Sequence, residues 1–412
     1  MQRRIVQWIG LHLKRMVNSI AFYPALIGLV FLAVSYLMIS LDYSEGGKSI
    51  KAQWNWLRMR DAETARSVIS VVGAGILSLT VFSFSMVMVV LNQAASQMSN
   101  RILDQLIGNR FQQLVLGFYI GTIVYSLFLL TAIRDIDAGI YVPALSTYLL
   151  IAFAVLDIFL FIYFLHYITQ SVKYVVIIRR ITRRTQVLMQ KSRFLKDDPV
   201  QVEPVKGQPV RARRSGIMNG FNKELLIAFA QQQDTVVSLL HPVGQYVLEG
   251  TPLLEVTGSH CLIDEACNEQ LNEGVYLVQE PNMDDHYYYG LRRLTEVALR
   301  ALSPGVNDPG TAVESLRSLV LLLHYRLLHY PEDSVRDAEG RVRIITKEYG
   351  FDELAAATLY PIWDYGKNDR LVQTELLLLL RQLDALKVCP FIRRLLLQLE
   401  HRLGARNLNV KL

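Results

Sequence analysis

Four successive apolar runs, each long enough to cross a bilayer, constrain this chain more than any other feature. They are "IAFYPALIGLVFLAVSYLMISL" from about Ile20 to Leu41, "VISVVGAGILSLTVFSFSMVMVVL" from Val68 to Leu91, "LVLGFYIGTIVYSLFLLTAI" from about Leu114 to Ile133, and "YVPALSTYLLIAFAVLDIFLFIYFLHYI" from Tyr141 to Ile168. A membrane-spanning helix needs about 20 predominantly apolar residues, and the uninterrupted length of all four excludes ordinary buried helices. The chain of 412 residues is 51% hydrophobic and 19% charged. The excess sits almost entirely before residue 180, so it belongs to one region. The first run is too long for a removable signal peptide and lacks a small-residue cleavage site, so we expect a retained span.

Basic residues near spans set orientation. Arg3, Arg4, Lys14 and Arg15 precede the first run with no acid among them. Lys173, Arg179, Arg180, Arg183, Arg184, Lys191, Arg193 and Lys196 follow the fourth. The loops on the other side mix signs: Asp42, Glu45, Lys48, Lys51, Arg58, Arg60, Asp61, Glu63 and Arg66 in one, and Arg134, Asp135 and Asp137 in the other. Both termini are therefore expected in the cytoplasm. The basic segment after the fourth run keeps helical spacing and reads as that helix continuing into the cytosol, then a Pro-rich linker, "DDPVQVEPVKGQPV". Beside a membrane, this basic cluster suits lipid head groups rather than nucleic acid.

Beyond the linker, "TVVSLL", "YVLEG" and "PLLEV" are strand-like runs between Pro/Gly turns. "HPVGQYVLEGTPLLEV" resembles half of a barrel-sandwich hybrid, the fold of biotinyl and lipoyl carriers. No Lys occurs between Lys223 and Lys347, so a carrier role drops out and a small β-barrel used as structure or interface is expected. From Leu262 the pattern is mainly helical. Cys261, Cys267 and Cys389 are expected as free thiols; His260, Cys261 and Cys267 have no second Cys/His pair at ligand spacing, so no metal is expected. No GxSxG, P-loop, HExxH or GxGxxG is present, and no enzyme activity or cofactor is expected. His286, beside Asp284 and Asp285, reads as a solvated turn rather than an acid/base group.

Two features carry functional information. At 100° per residue, Ala74, Ser78, Ser85, Asn92, Ser96 and Ser99 fall within roughly 60° of one another on the second apolar helix, with Phe82 and Val89 on the same face. Such a stripe lines water or packs against another helix; with four spans per chain, a pore needs a symmetric ring of copies. Asp157 stands alone mid-span in "LLIAFAVLDIFLF", either hydrogen-bonded to a neighbouring helix or on an ion pathway. The pore-lining candidates are thus Ser78, Phe82, Ser85, Val89, Asn92, Ser96 and Asp157. The second feature is "ALRALSPGVNDPGTAVESL", Ala298 to Leu316. Pro304 and Gly305 stop one helix, Gly305 supplying positive φ, and Asp308 caps the next with Pro309 at its first position and Thr311 in its first turn. A ligand could instead meet Ser303, Asn307, Asp308 and Thr311, with Arg292, Arg293 and Arg300 suiting an anion there.

"YGLRRLTEVALRALSPGVNDPGTAVESLRSL" resembles the signature of a bacterial membrane family, domain of unknown function 2254. "FSFSMVMVVLNQAASQMSNRIL", "YFLHYITQSV" and "VGQYVLEGTPLLEV" are similar to its other segments, though Asn100 stands where the family usually has Pro. The resemblance implies a multi-pass protein of the bacterial inner membrane and leaves activity open. The resulting expectation is an α-helical membrane protein: residues 1–19 a cytoplasmic N-terminus, 20–168 four transmembrane helices, 169–206 a basic juxtamembrane helix and linker, 207–258 a small β-barrel-like module, and 259–412 a mainly helical cytoplasmic domain. Functionally, a homo-oligomeric ion channel or pore-type transport protein in contact with the lipid bilayer is expected, with the second helix lining the pathway and the cytoplasmic domain as gate. The alternative is a membrane-anchored ligand sensor or interaction scaffold.

Overall fold

The computed structural model describes residues 21–53, 61–97, 110–133, 142–171, 173–191, 194–195, 207–258 and 264–404. It divides into two compact units, residues 1–173 and 174–412.

Among its described residues, the first unit holds α1 (Phe22–Tyr43), α2 (Glu45–Gln53), α3 (Ala62–Gln97), α4 (Arg110–Ala132) and α5 (Ala144–Ser171). α1, α3, α4 and α5 are each long and apolar enough to cross a membrane. Small residues let them approach closely. A Cβ at Gly117 would lie 2.5 Å from Ile27 Cδ1, and one at Gly121 would lie 2.6 Å from the Phe31 ring, so α1 presses directly on the α4 backbone. α4 is the most enclosed span, with 44% of its apolar window buried, and α3 the least, with 11%. Phe31, Tyr125, Leu129 and Leu150 form one core cluster, and Ile76, Val115, Tyr119, Phe164 and Ile168 another. The first is closed at one end by Asp42. Its Oδ2 accepts from Ser146 N–H at 2.8 Å and Ser146 Oγ at 2.6 Å, and its Oδ1 from Leu145 N–H at 3.2 Å. A carboxylate on α1 thereby caps α5.

The second unit opens with α6 (Tyr174–Lys191). The fourth span does not run on into it: α5 ends at Ser171 and α6 is a separate helix, although no Gly or Pro marks the break. α6 is amphipathic, burying Ile177, Ile178, Ile181, Thr182, Thr185 and Met189 and exposing Arg179, Arg180, Arg183 and Arg184 to differing degrees. There follow β1 (Phe194–Leu195), β2 (Gln208–Arg211), β3 (Gly216–Phe221), α7 (Lys223–Gln232), β4 (Val236–Leu239), β5 (Tyr246–Val247), β6 (Pro252–Thr257), α8 (Glu265–Glu273) and β7 (Val275–Val278). The remainder is α9 (Tyr287–Ala301), α10 (Pro309–Leu328), β8 (Tyr330–Pro331), β9 (Ser334–Arg336), β10 (Val342–Ile345), α11 (Phe351–Gly366), α12 (Arg370–Leu386) and α13 (Pro390–Gly404).

The expected closed β-module is corrected by the strand order. The described strands form open sheets of order β2-β6-β4-β10-β9 and β5-β3-β7, with a short β1-β8 pair. β6 pairs antiparallel with both β2 and β4. β4 then takes β10 as a parallel partner, Val237 opposite Ile344, and β3 takes β7. A parallel partner needs a long crossover, so local turn signals could not reveal it. The segment 207–258 also contains α7, capped by Asn222. Leu226 and Phe229 of that helix pack on Val237, Leu254, Val256 and Ile344 in the sheet core.

Candidate functional site

Among the described residues of the first unit, the predicted stripe of α3 is exposed. Ala74, Ser78, Ser85 and Asn92 are exposed, as are Phe82 and Val89 at 56% and 61%. Ser78 Oγ donates to Ala74 O at 3.0 Å on its own helix. Phe82 packs edge-on against Phe161 of α5, with centroids 5.9 Å apart. The Ser96 side chain and Ser99 lie outside the described residues, as do His260 and Cys261. Asp157 is not on this exposed face. It is buried in the bundle with Ser83, Tyr119 and Thr122, all under 5% exposed. Thr122 adjoins the Asp157 carboxyl and Ser83 adjoins the Tyr119 hydroxyl, yet neither pair reaches hydrogen-bonding geometry. Ser83 Oγ, Tyr119 Oη, Thr122 Oγ1 and both Asp157 oxygens lack a hydrogen-bond partner. Each such buried oxygen costs about 1–3 kcal/mol. The sequence signal for this cluster was the 3-residue spacing of Tyr119 and Thr122, which places both on one face of α4 beside the isolated acid.

In the second unit, the Ser303–Thr311 corner is tightly wired. Asn307 N–H and Val306 N–H donate to Ser303 O, Asp308 N–H donates to Ala301 O, and Ser303 Oγ donates to Arg300 O. Asp308 caps α10: Oδ1 accepts from Thr311 N–H at 3.0 Å and Oδ2 from Thr311 Oγ1 at 2.6 Å. That carboxylate occupies the helix N-terminus where an incoming anion would dock. Arg292 and Arg293 both pair along α9 with Glu296, at 3.3 and 2.7 Å. Arg300 lies within electrostatic range of Tyr174 at the start of α6, as does Asp308.

The left-handed residue of the corner is Asn307, with φ of 46°, and not Gly305. A Cβ at Gly305 would meet nothing within 4 Å. Asn tolerates this conformation because its short side chain bonds locally, whereas a β-branched residue does not. Asn307→Val should therefore destabilise the unit by about 1–2 kcal/mol, Asn307→Gly should be nearly neutral, and Gly305→Val should cost less than Asn307→Val. Denaturant titration of the three variants ranks them, and a costlier Gly305→Val would refute this assignment of strain.

The motif's other glycine has a steric reason. A Cβ at Gly290 would sit 1.8 Å from Thr185 Oγ1, because α9 crosses α6 at that point. Just before it, His286 caps α9, its Nδ1 accepting from Tyr288 N–H at 3.3 Å while its ring lies tilted against Tyr287, centroids 4.2 Å apart. Behind that ring, Tyr287 Oη donates to Glu348 Oε2 at 3.0 Å, and buried Arg326 donates to the Tyr349 and His329 carbonyls. Sequence reading found neither Arg326, hidden in "LLLHYRLLHY", nor Glu348. Burial raises the Glu348 carboxyl and lowers the His286 imidazole from 6.5 to about 4. The native state thus binds fewer protons at His286 than the unfolded chain between pH 6.5 and 4. Stability from this group is present above pH 6.5 and falls as pH drops through that window, by about 3 kcal/mol in all; Glu348 acts in the opposite sense. His286→Asn keeps a good cap and should flatten the acid limb of stability against pH. Superimposable pH profiles for variant and parent would place the acid sensitivity elsewhere.

Along the outer face of α6, Arg179, Arg180, Arg183, Arg184 and Lys191 line an open groove of about 650 Å³ with Val176, Val187 and Leu188. One acid, Asp284, reaches it, 3.5 Å from Arg184.

Four membrane-capable helices followed by a mixed α/β unit match the architecture expected from the signature motif, and the comparison with known families decides the matter. Residues 17–382 match the family described as predicted membrane protein (DUF2254). The chain belongs to that family. Among DUF2254 relatives, an uncharacterised protein of Mycobacterium tuberculosis (strain CDC 1551 / Oshkosh) is 29% identical over 336 residues, covering 77% of this chain and 63% of its own length. An uncharacterised protein of Mycobacterium bovis is 28% identical with the same coverage. The chain thus spans a little under two thirds of these relatives. No solved structure matches it. The DUF2254 signature residues now have positions: Gly290 at the α6–α9 crossing with Tyr289 bonded to Met218 O and Asn219 Oδ1 of β3, Ser303 to Thr311 at the α9–α10 corner, and Ser83 in the buried intramembrane cluster.

Proposed function

We propose that the protein is a homo-oligomeric channel or pore-type transport protein of the inner membrane, with both termini in the cytoplasm, α3 facing the pathway and the second unit acting as the gate. The carrying observation is the uncovered polar face of α3. Among the described residues Asn92, Ser85 and Ser78 are left uncovered by the other helices, and a carboxamide directed at lipid is unfavourable. Water, or a second copy, relieves that cost. Phe82 and Val89 on the same face supply an apolar constriction suited to gating by dewetting.

Single cysteines at Ser85 and Asn92 test this reading. Both should react with a small charged thiol reagent in the assembled protein, and the modification should change conductance in lipid bilayers. A cysteine at Ser83, buried in the bundle, should stay inert. Unreactive cysteines with unchanged ion flux would remove the channel. That result would favour a membrane-anchored sensor or scaffold, a reading supported by the basic groove on α6.

A further inference from the structure

We propose that Asp157, Thr122, Tyr119 and Ser83 form an intramembrane site for one small monovalent cation, sodium or a proton. The site lies inside a single chain, so it stands apart from the pore: it is read in protein stability, whereas the pore is read in flux.

Asp157 is completely buried on α5. The only Lys or Arg residues in the four spans are Arg66 and Arg110, near the first residues of α3 and α4. A carboxylate cannot remain as a bare charge in such surroundings, so either a proton or a bound cation neutralises it. The neighbouring groups are suited to that task. Thr122 adjoins the carboxyl. Tyr119, one turn away on the same face of α4, is within electrostatic range of Asp157 and adjoins Ser83 of α3. Three helices thus contribute oxygen donors, the ligand type hard cations take, and none of the five oxygens is used by a hydrogen bond within the protein.

Among the described residues, the bundle's other buried acid shows the contrast. Asp42 accepts three hydrogen bonds and pairs with Lys51 at 3.1 Å. It reaches α5 at Ser146, eleven residues before Asp157, or about 17 Å along the helix. Tyr119 is therefore the titratable group facing Asp157 from α4. The described part of α3 presents only the Ser83 hydroxyl, and α1 presents Asp42 with its lysine at the far end.

The test uses the full chain in detergent, melted across pH 5 to 8.5 in choline, potassium or sodium chloride at constant ionic strength. With a sodium site, added sodium raises Tm saturably at alkaline pH, potassium does so less, and protons compete. With a proton site, Tm ignores the cation and carries a pH dependence that Asp157→Asn removes. In either case Asp157→Asn abolishes the response, while Thr122→Val and Tyr119→Phe move its midpoint by about tenfold. Should Asp157→Asn fail to fold, the two hydroxyl variants decide alone. The proposal is overturned if parent and Asp157→Asn melt in parallel across all cations and pH, or if both hydroxyl variants leave the midpoint unchanged.

Discussion

Gly290→Val should unfold most of the second unit, with a loss of about 3 kcal/mol or more. The smallest side chain already collides there, since a Cβ would lie 1.8 Å from Thr185 Oγ1 and 2.8 Å from Thr185 Cβ. Thr185 cannot swing aside cheaply. It is buried, its χ1 is restricted by branching, and its hydroxyl donates to Ile181 O at 2.8 Å. Relief then requires α6 and α9 to separate, which opens the contacts of both with α10. Overpacking of this kind costs about 1–3 kcal/mol for an added methylene and more where the backbone must move; valine adds the strain of a β-branched residue. The milder Gly290→Ala should couple to Thr185→Ala, because removing Oγ1 and Cγ2 clears two of the three colliding atoms. We expect a coupling energy of about 1–2 kcal/mol from the double-mutant cycle, measured by urea titration of the full chain with limited proteolysis as readout. Additive costs would mean that the two helices do not cross at these residues.

What the sequence made legible follows from how local each signal is. The spans were legible because about 20 apolar residues in a row have few other uses, and the start of α10 was legible because Asp308, Pro309 and Thr311 are adjacent in the chain. The break between Ser171 and Tyr174 was not, since helical spacing continues across it with no Gly or Pro. The sheets were misread because β4 finds β10 about a hundred residues later, and no turn residue announces a distant parallel partner. At the corner, glycine was the obvious bearer of positive φ, yet Asn307 carries it; both residue types tolerate that conformation, and only the hydrogen-bonded path of the chain selects between them. At 100° per residue Ser83 falls on the face opposite the stripe, and there it is buried. Periodicity could not say that Tyr119 and Asp157 would meet there, because helix packing, rather than spacing within one helix, brings them together. The same limit hid Arg326 and Glu348, whose meeting depends on how α9, α10 and the segment before α11 pack.

Asp42→Ala should be the most damaging single change in the first unit, costing about 3–4 kcal/mol. Asp42 is 1% exposed and serves two functions at once. Its two oxygens satisfy the Leu145 and Ser146 amides at the N-terminus of α5, which have no partner within their own helix, and they neutralise Lys51 at 3.1 Å. Alanine leaves two amides, the Ser146 hydroxyl and an ammonium facing a small void. Removing one member of a buried ion pair alone costs about 3–5 kcal/mol, moderated here because the Lys51 side chain keeps 19% exposure and also donates to Asp42 O. Asp42→Asn retains one acceptor oxygen and the shape but turns an amide donor toward other donors, so about 2 kcal/mol is expected. Lys51→Ala leaves the cap intact and should cost about 1 kcal/mol. Thermal melting of the three variants in one detergent should therefore rank Asp42→Ala below Asp42→Asn and Asp42→Asn below Lys51→Ala. If Lys51→Ala proved as harmful as Asp42→Ala, the ion pair between α1 and α2, rather than the cap on α5, would carry most of what Asp42 contributes. If Asp42→Ala melted with the parent, the first and fourth spans would not meet at this end of the bundle.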